Sequence, residues 1–118
     1  MLPDSLTRYF ADSRLSVESF THADNTLTIR IEKEIGPETG FIVFQHVSFL
    51  LLPQTMSGDA MRAKPVSAAG QEFWSRCLLE RDWFEPDDVV FEIVCQEGPV
   101  YFVVAKSVRY EVHDETGS

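Results

Sequence analysis

The chain has 118 residues, 44% of them apolar, with nine Phe, three Tyr and two Trp: enough for one compact core, and too apolar for a disordered chain. Nineteen acids against ten scattered bases leave a formal charge of −9, which repels phosphates, so a nucleic-acid partner is not expected. The longest apolar run, Val47 to Leu52 with Ser48 inside it, is far too short to span a bilayer, so no membrane partner is expected either.

Met1-Leu2-Pro3-Asp4-Ser5 lacks the basic and apolar stretches of a secretory signal. Cys77 and Cys95 are therefore expected as free thiols in a reducing, cytoplasmic setting. Pro3, Asp4 and Ser5 supply helix-start residues, and Leu6, Tyr9 and Phe10 then share one face of a short N-terminal helix. Leu15 to Ser19 alternates as a first strand, ending at the turn Ala23-Asp24-Asn25. Leu27, Ile29 and Ile31 alternate with Thr26, Thr28, Arg30 and Glu32, the cleanest half-buried strand in the chain. Gly36-Pro37-Glu38-Thr39-Gly40 closes a hairpin, its two glycines suited to positive φ.

From Phe41 to Leu52 both faces are apolar: Phe41, Val43, Val47, Phe49 and Leu51 on one, Ile42, Phe44, Leu50 and Leu52 on the other. Such a strand is central and needs a cover on its second face. Pro53 stops it. Gln54 to Ala69 has few large apolar groups and reads as a long crossing loop, in which Met56, Gly58 and Met61 suit a mobile connector. Ser67 then caps the principal helix, running to about Asp82 with Phe73, Trp74, Cys77, Leu78 and Arg81 at three- and four-residue spacings. Pro86 bounds its end, Val89 to Gln96 and Val100 to Ala105 form strands about the turn Glu97-Gly98-Pro99, and Lys106-Ser107 marks a bulge before Val108, Tyr110 and Val112 resume alternation. Residues His113 to Ser118 form a polar tail expected to fray.

The chain echoes itself once. Ile31 to Pro37 followed by Phe41 to Val47 resembles Ile93 to Pro99 followed by Phe102 to Val108, each a strand, a Gly-Pro turn and a longer apolar strand. The expected architecture is one α+β domain over residues 1–118: about six mostly antiparallel strands in two related hairpins, one principal helix and the short N-terminal helix.

No catalytic, cofactor or metal site is expected. His22, His46 and His113 are far apart, no Cys-x-x-Cys or Gly-x-Ser-x-Gly motif occurs, and the six glycines are dispersed. The segment Glu80 to Glu97 stands out: seven acids against Arg81 alone, a net −6, around Trp83 and Phe84. Acids about an aromatic anchor suit a basic or mixed-charge protein partner, with Glu80, Asp82, Trp83, Phe84, Glu85, Asp87 and Asp88 as the contact residues. The alternatives are a small-molecule binder or enzyme with a pocket near Gln45 and His46, and a self-associating structural protein exposing Phe41 to Leu52, which would make a homo-oligomer. Leu27-Thr28-Ile29-Arg30-Ile31, Gly40 to Phe44, Val47 and Val104 to Val108 resemble small bacterial β-rich proteins, some of them grouped as toxin-immunity proteins. That resemblance implies a non-enzymatic protein that binds and blocks a partner, and carries over no functional residue.

Overall fold

A computed structural model describes residues 13–21, 23–33, 38–77, 80–95 and 100–114. Its strands are β1 (Ser13–Thr21), β2 (Thr26–Lys33), β3 (Glu38–Gln45), β4 (Phe49–Leu51), β5 (Thr55–Pro65), β6 (Val89–Cys95), β7 (Tyr101–Ala105) and β8 (Ser107–Asp114). All pair antiparallel in one sheet, in the order β4-β7-β6-β5-β1-β2-β3-β8.

The two ends of that order meet through the chain. Only residues 46–48 separate β3 from β4, and only Lys106 separates β7 from β8. Because β3 lies beside β8 while its continuation β4 lies beside β7, the sheet curls back on itself as a barrel of six strand paths. Gln45 faces Ser107 and Phe49 faces Val104, a one-residue slip across the opposed kinks. The slip is tied by Lys106 N–H donating to Gln45 O at 3.0 Å and Ser48 N–H to Val104 O at 2.9 Å.

Period-2 alternation fills the inside. Leu15, Leu27, Ile29, Ile31, Ile42, Phe44, Phe91, Ile93, Val103 and Ala105 form one buried cluster, with Phe44 edge-on to Phe91 at 5.2 Å. The alternate residues of β7 and β6, Phe102, Val104 and Val90, point outward into a second cluster with Val66, Phe73, Cys77 and Phe84. The two-sided apolar strand thus has its cover: Phe49 and Leu51 pack against the outer cluster, while Ile42, Phe44 and Val47 join the inner one. Val47 alone leaves the face its alternation assigns and joins the inner cluster, at the kink where His46 adopts φ 55°.

The architecture corrects the α+β expectation. It is mostly antiparallel β sheet, and the helix expected over Ser67 to Asp82 is only α1 (Gln71–Arg76), flanked by the 3-10 turns Val66–Ala68 and Arg81–Trp83. Ser67 is not its cap; Gly70 is, in extended geometry without a side-chain bond, and Cys77 ends it extended. A straight helix over that span would be roughly 24 Å long and offer one apolar face, whereas broken turns let Val66, Phe73, Cys77 and Phe84 all reach the outer cluster. Aromatic packing holds this crossing segment: Phe73 lies 5.3 Å from Phe102 and 5.9 Å from Phe49, and the Arg81 guanidinium lies 4.6 Å from the Trp74 ring.

The expected loop from Gln54 to Ala69 is also corrected. Most of it is β5, the longest strand, pairing with β1 through Thr55 to Gly58 and with β6 through Gly58 to Pro65. Its small residues are weak strand formers, and a register shift between Gly58 and Ala60 breaks the alternation that Met56 and Met61, both buried inside, would otherwise display. Gly40 is not a positive-φ turn residue but part of β3, where a β-carbon would meet the Tyr110 ring at 2.6 Å, so the residue serves close approach. The N-terminal helix expected at Leu6 to Phe10 and the turns at Gly36-Pro37 and Gly98-Pro99 lie outside the described residues. The backbone of β8 includes His113 and Asp114.

Candidate functional site

The kinks that close the barrel also place the site. Turning at His46 and at Lys106 brings residues 46–50 and Lys106 against the segment that follows α1, and an open cleft of about 880 Å³ lies between them. Its walls include Phe20, Asn25, His46, Ser48, Leu50, Trp83, Glu85, Asp87, Asp88 and Lys106. Asn25 and His46 are the two non-glycine residues with positive φ among those described, at 53° and 55°, and Val47 N–H donates to Asn25 O at 2.9 Å. The β1–β2 turn is thereby bonded to the kink.

Lys106 organises the acids. Its Nζ pairs with Asp87 Oδ1, with Asp88 Oδ1 at 3.1 Å and with Glu85 Oε2 at 3.2 Å. Three carboxylates about one ammonium leave the cluster at net −2. The hydrogen bond to Asp87 raises the Lys106 pKa well above the ordinary lysine value, against the opposing effect of burial, and the same bond lowers the Asp87 pKa. Asp88 is only 3% exposed, and its Oδ2 accepts from Glu85 N–H at 2.8 Å, so it braces the turn while Glu85 and Asp87, at 72% side-chain exposure, face water. Asp88 Oδ1 faces Lys106 outside hydrogen-bonding geometry.

Neighbouring aromatics have opposite fates. Trp83 is 62% exposed on the cleft rim, whereas Phe84, paired with it on sequence as a contact residue, is buried against Phe73 and Trp74 at centroid distances of 6.0 and 5.9 Å. Glu80 and Asp82 are exposed but do not line the cleft. Of the alternative pair, His46 lines the cleft and is exposed, while Gln45 uses its Oε1 to accept from Ser107 Oγ at 3.0 Å and stays outside. The structure therefore joins His46 with Trp83, Glu85, Asp87 and Asp88, residues far apart along the chain, in one cleft. Lys106, Phe20 and Leu50 were not foreseen. The one signal for Lys106 was a lone cation directly after the apolar run Phe102 to Ala105, four strand positions that leave no reason for a charge unless it is paired.

Among the described residues, no group of three or more His, Cys, Asp or Glu is arranged to hold a metal ion, and no helix is long and apolar enough to cross a membrane. Neither Cys77 nor Cys95 is in a disulfide, and they sit in different clusters, Cys77 outside the barrel wall and Cys95 against the inner core, where burial raises its thiol pKa. Comparison with protein-family models, curated proteins and solved structures finds no match.

Proposed function

We propose that the chain is a non-enzymatic protein-binding domain, cytoplasmic and immunity-protein-like, whose acidic cleft engages a basic or mixed-charge protein partner. The observation that carries this reading is the exposed Trp83 indole standing beside the exposed carboxylates of Glu85 and Asp87 on one cleft rim. A tryptophan supplies large contact area on binding, and the carboxylates steer a basic partner and speed encounter. Folding does not require that indole to face water, since Phe84 next to it is buried.

The test is affinity capture from the native extract with wild-type protein, Trp83→Ser and the double variant Glu85→Gln, Asp87→Asn. A basic partner retained by wild type and lost by both variants, with unchanged circular dichroism, is the expected result. Equal retention by all three would remove the cleft from the binding surface. The small-molecule or enzyme reading has two observations in its favour: the cleft volume falls within the roughly 300–1,000 Å³ of small-ligand pockets, and His46 lines the cleft with Glu85, Asp87 and Asp88. It is the weaker reading because Gln45 lies outside the cleft and is engaged with Ser107.

A further inference from the structure

The acidic cleft does not end at its charges. Phe20 and Leu50, which line it, also line a second cavity of about 300 Å³ walled by Val17, Leu27, Leu52 and Pro53. The two cavities adjoin at these side chains and together present a grooved surface, apolar at one end and anionic at the other. The two large apolar side chains that remain exposed among the described residues, Leu50 at 37% and Trp83 at 62%, both lie along it.

We propose that this groove takes an extended peptide segment of the partner, seating a large aliphatic side chain in the well beside Leu50 and a Lys or Arg side chain between Trp83 and the Glu85 and Asp87 carboxylates. The proposal rests on the protein-binding reading and adds the chemistry of the partner. Charge complementarity selects the cation: Lys106 leaves the cluster at net −2, and an indole beside carboxylates is a favourable seat for a guanidinium or ammonium. The well selects the aliphatic group, because its walls are almost wholly apolar, and an extended segment can present that group and a cation to the two ends together.

The experiment is titration of isotope-labelled full-length chain with short capped Gly/Ser peptides bearing one Leu and one Lys at varied spacing. Saturable shifts at the Leu50 amide and the Trp83 indole N–H are expected for at least one spacing. Replacing the peptide Leu by Ser should weaken binding about tenfold, replacing Lys by Glu at least about tenfold, and added salt should weaken the wild-type peptide. Absence of saturable shifts at every spacing, while Trp83→Ser still loses the captured partner, would overturn the peptide proposal and leave the protein-binding reading standing; loss of that reading shows only in the capture assay. Concentration-dependent shifts without peptide, abolished by Trp83→Ser, would assign the groove to a second copy of the chain and likewise overturn it.

Discussion

The two apolar clusters are held in different ways. The inner one is gripped from all round by strands whose ladders run on both sides, and its members come from β1, β2, β3, β5, β6 and β7. The outer one has the sheet on one side and, on the other, a crossing segment whose one α-helix spans six residues. A helix that short has no stability of its own, since nucleation costs more than one or two turns return. Its order comes from Phe73 docking on Phe102 and Phe49, with Trp74 and Phe84 packed against Phe73 and against each other. The barrel therefore acts as the scaffold, and the layer that carries the cleft rim is an attachment to it.

That contrast can be broken most severely inside. Phe44→Ala removes a fully buried ring with Phe91 as its edge-on partner and is expected to cost about 3–5 kcal/mol in urea unfolding, with all probes shifting together. Phe73→Ala should cost about 3 kcal/mol, but amide exchange should rise first in residues 66–84 while the sheet stays protected. A uniform rise across the sheet would mean that the two layers unfold as one unit.

Lys106→Met sharpens the comparison at the cleft. Without the ammonium, Glu85, Asp87 and Asp88 repel one another, and exchange should quicken at the Glu85 and Asp88 amides, whose bonds to Asp88 Oδ2 and Glu85 O close the turn. The pH dependence follows from the two shifts. The lowered Asp87 pKa contributes above its unfolded value of 3.8 and is lost as pH falls through the folded value below that; the raised Lys106 pKa contributes fully below 10.5 and is lost as pH rises through its higher folded value. Protection of the turn in the wild type should thus hold between those limits and fall outside them, while in Lys106→Met the alkaline step disappears. The smallest effect is expected from Trp83→Ser, within about 0.5 kcal/mol of wild-type stability, because the ring packs little in the folded chain.

Much of the inner layer was legible because its strands alternate with a period of two: Leu27, Ile29 and Ile31 face inward as their alternation requires. β5 was not, since Gly58, Ala60 and Ala63 have weak strand preference and a bulge shifts the phase between Met56 and Met61. The long helix failed for the opposite reason. Its three- and four-residue spacings are real, but the outer face of β6 and β7 draws in Val66 and Phe84 from beyond α1, which a continuous helix would carry away. At the site, the acids and Trp83 were visible from charge and composition, whereas Phe20, Leu50 and Lys106 enter only when distant segments meet.

From sequence alone came the β-rich core, the excess of acid and the particular run in which acids gather about two aromatics. Alternation and charge are local properties, and they need no partner to be read. Which aromatic faces water, which lysine the acids hold and which strand ends meet were decided by closure of the sheet. The one-residue slip at His46 and Lys106 lets β3 and β4 pair with β8 and β7, and that single closure sets Trp83, His46 and the carboxylates around one cleft.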